Sequence, residues 1–310
     1  MTNIRIDRTG GIGTITIDRR ERFNSLDVRT AQDFRRAGLQ LARDASTRVV
    51  LVRGLPGMFC SGADLKFIRD GGDAADLGYL TPARPEPVEG RAGYGDVFKQ
   101  ILEYIHCTIS EFRRAPKPVI AAVDGIAAAG GFGIAMSCDL VLASTRAAFE
   151  WAYGKTALTG AESSTFFLPR LVGLRRSMEL MLLNPRLTAE QARDCGLVTA
   201  VFDVDAFDRE VQGIAGRLAA GPPHAYATAK ELLNQAAGMD RLDEHLDREL
   251  QELARAADGP EVAEGIAAFF EKRTPQFSET GLGARGLGLA AERKDIQPLA
   301  HGPQPRTRHA

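Results

Sequence analysis

Val119-Ile120-Ala121-Ala122-Val123-Asp124-Gly125-Ile126-Ala127-Ala128-Ala129-Gly130-Gly131-Phe132-Gly133 is the stretch that decides how this chain folds. Its first five residues are an unbroken apolar run, the pattern of a strand covered on both faces. A turn of small residues follows, and Ile134-Ala135-Met136 then continues as a helix. Upstream, Arg48-Val49-Val50-Leu51-Val52-Arg53 is a second buried strand, which leads through the glycine-rich stretch Gly54 to Asp64 into Leu65-Lys66-Phe67-Ile68. Both segments therefore read as strand, small-residue turn, helix. At a helix start several N–H groups lack an intrahelical partner and face outward at the positive end of the dipole. Small residues there let a ligand approach the backbone. Two such starts side by side would aim two N–H donors at one oxygen, an oxyanion hole. Taken singly, each segment fits tight strand–helix packing at least as well.

The rest of the chain sets bounds on that reading. It has 310 residues, a net charge of -1, 44% hydrophobic and 25% charged residues. A chain of this length buries roughly 75% of its unfolded surface, enough for one large core or two smaller ones. A balanced charge lacks the basic excess that nucleic-acid binding needs to displace counterions. Met1-Thr2-Asn3-Ile4-Arg5 carries no apolar signal region, and the run Val119 to Met136 is interrupted by Asp124 and glycines. These features predict a cytoplasmic protein with no nucleic-acid or membrane partner. Cys60, Cys107, Cys138 and Cys195 form no CxxC pair, and the five histidines show no HxxxH spacing. Reduced core thiols and no metal site are expected.

Alternation in Asn3 to Asp7 and Gly13 to Asp18 predicts a hairpin about Gly10-Gly11. Residues 27–43 form an amphipathic helix with Asp27 as N-cap. Residues 70–96, rich in Pro and Gly, read as a flexible insertion, either a lid or tolerated surface. A helix resumes at 97–113, with His106 on the border of its apolar face, and Asp139 to Ala143 is a third buried strand. Helices follow at 163–171, 175–183, 188–195, 206–219, 225–236, 242–257 and 260–271. Thr188 and Gln191 make a capping box in the third of these. The organisation expected is a core over 1–205, a helical region over 206–277 and a disordered tail over 278–310.

Phe59-Cys60-Ser61-Gly62-Ala63-Asp64-Leu65-Lys66 and Ala122 to Phe132 together resemble the two signature segments of the crotonase (enoyl-CoA hydratase/isomerase) superfamily. Arg22-Phe23-Asn24-Ser25-Leu26, Leu168-Pro169-Arg170-Leu171-Val172-Gly173 and Phe269-Phe270-Glu271-Lys272-Arg273 extend the resemblance in order along the chain. It implies an α/β fold, a spiral of ββα units with a helical C-terminal region that builds trimers, often paired into hexamers. It also implies an acyl-CoA thioester as substrate, with its carbonyl oxygen held by the N–H groups of Ala63 and Gly130. No cofactor is implied beyond the CoA of the substrate. Asp64, Leu65, Lys66, Trp151 and Lys272 become candidates for binding the acyl or CoA part.

The chain also departs from the superfamily's hydratases. Their two glutamates align with Gly133 and Tyr153, so an efficient simple hydratase is not expected, and simple isomerases, which usually keep the second glutamate, lose support as well. Ser163 to Arg170 and Arg175 to Leu180 look more like the chlorobenzoyl-CoA dehalogenase branch, whose water-activating histidine aligns with His106. That branch's nucleophilic aspartate aligns with Ala161, and Glu162 stands one residue further on. Glu162 is therefore either a general base, acid or nucleophile or a carboxylate in the first turn of a helix. A carboxylate one residue off points elsewhere unless the local turn is rewound. Tyr153 is the remaining candidate for orienting substrate. The resemblance implies an isomerase or lyase passing through a thioester-stabilised anion, with a dehalogenase-like hydrolase and a catalytically depleted acyl-CoA-binding oligomer as alternatives.

Overall fold

The computed structural model describes residues 3–73 and 93–277. Most of the expected insertion at 70–96 and all of the expected tail at 278–310 lie outside the described residues. Strands β1 (Ile4–Thr9) and β2 (Ile12–Ile17) form the predicted antiparallel hairpin, with Gly10 and Gly11 both at positive φ. Helix α1 (Val28–Arg43) starts where Asp27 accepts the N–H of Thr30. The chain then repeats one unit three times. Strand β3 (Val49–Arg53) is followed by β4 (Met58–Cys60) and α2 (Leu65–Arg69). After α3 (Tyr94–Arg114) come β5 (Val119–Val123), β6 (Ile126–Ala128) and α4 (Gly130–Ser137). The third unit is β7 (Leu140–Ser144), β8 (Ala148–Glu150) and α5 (Ser164–Leu182).

The first strand of each unit joins one sheet and the second strand joins another. With β9 (Leu187–Thr188), α6 (Ala189–Asp194) and β10 (Ala200–Phe202), the sheet orders are β1-β2-β3-β5-β7-β10 and β4-β6-β8-β9. Each ββα unit thus steps one strand along both sheets, which makes the spiral. The six-stranded sheet is covered on both faces, hence the unbroken apolar runs. Val49, Leu51, Ile120, Ala122 and Leu142 pack against Phe207, Val211 and Ala215 of α7 (Val204–Ala220). Val50, Val52, Val119, Ala121 and Val123 face the larger core built with α1 and α3.

Three features differ from expectation. The turns after β3 and β5 contain the short strands β4 and β6, and with β8 and β9 they make a second sheet that the sequence reading lacks. Strands of two or three residues are too short to show a period of two. Helix α3 begins at Tyr94, inside the stretch assigned to the insertion, where glycines mask the helical pattern. The helices expected at 163–171 and 175–183 are one element interrupted at Gly173 (φ 74°). The capping box of Thr188 and Gln191 is present.

Within the second sheet, the segments of β4 and β6 are drawn together by glycine. A Cβ on Gly125 would lie 2.2 Å from the Gly57 carbonyl oxygen, and one on Gly131 would lie 2.1 Å from that of Cys60. A Cβ on Gly62 would lie 2.8 Å from the Ala129 Cβ and 3.2 Å from the Gly130 nitrogen. Helices α8 (Pro223–Ala236), α9 (Leu242–Ala257) and α10 (Pro260–Glu271) complete the fold. The buried stripe of α9 includes Leu242, Leu246, Glu249, Leu253 and Ala257, and α10 sits on the turn Tyr153–Thr156, where a Cβ on Gly265 would lie 2.7 Å from the Thr156 Cα. No helix among the described residues is long and apolar enough to cross a membrane.

Backbone contacts cannot relax as side chains do, so Gly131→Ala should cost about 3 kcal/mol, the upper end for overpacking. Gly216→Ala, in the interior of α7 with nothing within 4 Å of its Cβ position, should be neutral or stabilising. Urea unfolding of the two variants checks this; equal stabilities would mean that the seam is not tightly packed.

Candidate active site

A cleft of about 460 Å³ opens where the two strand–turn–helix segments meet. Ala63, Asp64, Leu65 and Lys66 line it from the first segment, and Ala128, Ala129 and Gly130 from the second. The Ala63 peptide is fixed on both sides, because Leu26 N–H donates to the Gly62 carbonyl (2.8 Å) and Asp64 N–H to the Leu26 carbonyl (2.9 Å). Asp64 caps α2 by accepting the N–H groups of Lys66 and Phe67, and its other oxygen takes a 2.8 Å bond from Arg19. Gly130 is the first residue of α4, preceded by Ala129 at φ 45°, ψ -115°. A non-glycine residue with that backbone is strained, a feature that collects at functional sites. Neither the Ala63 nor the Gly130 N–H donates to another described residue.

Glu162 is also a lining residue, and its backbone corrects the helix-turn reading. Helix α5 starts at Ser164 with Ser163 as N-cap, so Glu162 precedes the helix. Glu162 (φ 48°) and Ser163 (φ 63°) are both left-handed. This rewound turn sends the carboxyl group toward α4, and a Cβ on Gly130 would lie 2.7 Å from Glu162 Oε1. Glu162 Oε2 accepts a short hydrogen bond from the Tyr153 hydroxyl, which also lies 3.2 Å from the Ala161 carbonyl. Room for the turn comes from Gly133, where a Cβ would lie 2.3 Å from the Glu162 carbonyl oxygen and 2.7 Å from its Cβ.

Burial dominates the electrostatics here. Glu162 is 2% exposed. Desolvation pushes its pKa up to about 7, the Tyr153 hydroxyl opposes that rise, and the Glu249 charge adds to it. Burial and the neighbouring Glu162 hold the Tyr153 hydroxyl well above its ordinary pKa, so it stays protonated and donates.

The other candidates are distributed differently. His106 does not line the cleft; its Nε2 accepts the backbone N–H of Glu162 (3.2 Å), and burial lowers its pKa to about 4 against the opposing charge of Glu249. The imidazole thus supports the turn from behind. Trp151 packs on Tyr153 with ring centroids 5.1 Å apart and also stands outside the lining. Lys272 ends α10 in a left-handed conformation and does not line the cleft either, whereas its neighbours Phe269 and Phe270 do. Lys66 lies at the same mouth, with Arg22 and Phe23.

Two acidic residues escaped the sequence reading. Glu150 lines the cleft and is ion-paired with Lys155 and Arg186. Glu249 of α9 is buried, and its oxygens accept the N–H groups of Ser163 (2.8 Å) and Thr165 (3.0 Å). Desolvation works against its charge, but hydrogen bonding from His245, the charge of His106 and the bond from Thr165 outweigh it and hold its pKa below the usual value. The signal for Glu249 was available: it is a carboxylate within the apolar stripe Leu242, Leu246, Leu253, Ala257.

The sequence matches the family described as enoyl-CoA hydratase/isomerase over residues 7–82 and 101–280. It is 33% identical to 1,2-epoxyphenylacetyl-CoA isomerase of Escherichia coli (strain K12), over 86% of this chain and 95% of that one. It is 29% identical to 4-chlorobenzoyl coenzyme A dehalogenase-2 of an Arthrobacter species, over 87% and 91%. The fold superposes on the crystal structure of an enoyl-CoA hydratase from Mycobacterium avium subsp. paratuberculosis K-10 with a TM-score of 0.76, at 30% identity, covering 90% of this chain and all of that one. Sequence segments, fold and relatives agree, and the chain belongs to the enoyl-CoA hydratase/isomerase family of enzymes.

Proposed function

We propose that the protein is an acyl-CoA isomerase that moves a proton along the acyl chain through a thioester enolate, with Glu162 as the proton carrier. The observation that carries this reading is the Glu162 carboxyl group, the one beside Gly130 among the described residues; Glu21 also lines the cleft but is exposed to solvent. Asp64 is bound to Arg19, Glu150 to Lys155 and Arg186, and Glu249 to Ser163 and Thr165. Hydration needs a water activated and delivered between two acid–base groups, whereas a 1,3-proton shift needs only one. The Glu162 carboxylate would take the proton from the carbon beside the thioester. The C–H electron pair would then move into the carbonyl, placing negative charge on its oxygen opposite the Ala63 and Gly130 N–H groups. Preorganised donors of that kind bind the anion better than the neutral carbonyl. The same carboxyl would return its proton two carbons further on, completing the isomerisation with no cofactor beyond the CoA.

Phe98, Leu102, Leu158 and Leu253 make the inner wall apolar, which suits a hydrocarbon or aromatic acyl group. Lys66, Phe269 and Phe270 at the mouth suit the CoA end. The dehalogenase alternative needs a histidine facing water, and the His106 nitrogen nearest the site is occupied by the Glu162 N–H. We also propose that the chain assembles as a trimer or a pair of trimers. Leu171, Leu174, Met178 and Leu182 of α5 and Leu232 and Leu233 of α8 are large apolar side chains left exposed. Light scattering that finds only monomer would overturn the assembly.

Conversion of a β,γ-enoyl-CoA to its α,β isomer should be at least a hundred-fold faster than hydration of crotonyl-CoA, and Glu162→Gln should lower isomerisation at least a hundred-fold. Fast hydration, or a loss under threefold in the variant, would sink the one-carboxyl reading. The base must be ionised to start, so kcat/KM should fall about tenfold per pH unit below the Glu162 pKa of about 7. Gly133→Ala tests whether position 133 has to be empty for Glu162 to face the cleft. Turnover should drop at least tenfold with the fold retained by circular dichroism, and undiminished turnover would separate the two positions.

A further inference from the structure

A carboxylate beside a helix N-terminus ordinarily folds back onto the unpaired N–H groups of the first turn. Glu162, two residues ahead of Ser164, is in position to do so and does not. The first-turn donors are already taken by another helix. Glu249 Oε2 accepts Ser163 N–H at 2.8 Å and Oε1 accepts Thr165 N–H at 3.0 Å, 86 and 84 residues away along the chain. Ser163 supplies no cap of its own, since its hydroxyl donates to the Glu162 carbonyl.

We infer that Glu249 is a positioning residue: by capping α5 from α9, it keeps the turn at 162–163 left-handed and leaves the Glu162 carboxyl free to face the cleft. This rests on Glu162 being the proton carrier. The clamp has a second point behind the turn, where His106 Nε2 accepts Glu162 N–H at 3.2 Å while standing 3.8 Å from Glu249 Oε2. His245 Nε2 lies 3.7 Å from Glu249 Oε1 and 2.8 Å from the Thr165 hydroxyl, tying the carboxylate from the other side. The ionisable groups facing Glu162 are Tyr153, His106, Glu249 and the thiol of Cys60. Tyr153 and Cys60 are held protonated by burial and His106 neutral, so Glu249 is the fixed charge among them. Its charge opposes ionisation of Glu162, and its capping prevents the helix end from promoting that ionisation. Both effects raise the proton affinity of Glu162.

Steady-state isomerisation measured against pH for the wild type, Glu249→Gln and Glu162→Gln tests the inference. Glu249→Gln should lower kcat ten- to a hundred-fold, leave KM within threefold and move the acid limb of the kcat profile to lower pH. A purely structural role would not move that limb. An inactive Glu162→Gln beside a Glu249→Gln of wild-type kcat and pH profile would overturn the inference alone. A fully active Glu162→Gln would overturn the reading beneath it. Should Glu249→Gln fail to fold, Glu249→Asp decides. Its shorter side chain cannot span both amides, so kcat should still fall with KM held, and wild-type kcat in that variant would overturn the inference.

Discussion

The seam where β4 meets β6 is closed backbone against backbone, and the site depends on it. Gly57 against Gly125, Cys60 against Gly131 and Gly62 against Ala129 leave no space for a Cβ. The repeat of ββα units brings two helix starts to the same end of the second sheet, but repetition alone would leave them a strand spacing and a side-chain layer apart. Removing the side chains lets Ala63 and Gly130 line one cleft, with N–H groups that donate to no other described residue. The strain at Ala129 belongs to the same constraint, since its left-handed φ turns the following peptide outward at the start of α4. Stability and function therefore draw on the same residues here, and the small-residue pattern serves both.

The second constraint is spatial exchange between positions 133 and 162. Gly133 lies on the first turn of α4, and its empty side is filled by the backbone of Glu162. A side chain at 133 would displace the turn, and a right-handed turn at 162 would withdraw the carboxyl. The lack of a side chain at 133 and the placement of the carboxyl at 162 are linked by volume. The Glu162 carboxyl consequently approaches from the α5 side, hydrogen-bonded by the Tyr153 hydroxyl. A protonated phenol can steady Glu162 in either charge state without competing for the proton.

Most of this was legible in the sequence at the level of elements. Long strands with both faces covered, capped amphipathic helices and the two small-residue segments are written in period and composition. The second sheet was not legible, because β4, β6, β8 and β9 are two or three residues each and owe their strand character to neighbours. The direction of the Glu162 side chain was not legible either. Non-glycine residues enter the left-handed region only when tertiary contacts hold them there, and those contacts come from His106 and Glu249, both remote in sequence. Trp151 and Lys272, candidates through the family resemblance, are not among the lining residues of the cleft in a single chain.

The C-terminal helices take on a different meaning in this light. Helix α9 contributes Leu253 to the cleft wall and Glu249 to the turn behind the carboxyl, and α10 packs on the turn that carries Tyr153. Glu162, the proposed proton carrier, and Tyr153, which donates to it, are thus both braced by the helical region, while Ala63 and Gly130, the proposed oxyanion donors, are held by the ββα spiral. The division is physically sensible. Anion binding needs donors that do not move, which a glycine seam between two neighbouring strands provides. Proton affinity needs a buried group whose neighbours set its charge, which a helix laid over the spiral can adjust through one or two side chains. Changes on α9 would retune the acid–base chemistry without touching the oxyanion donors.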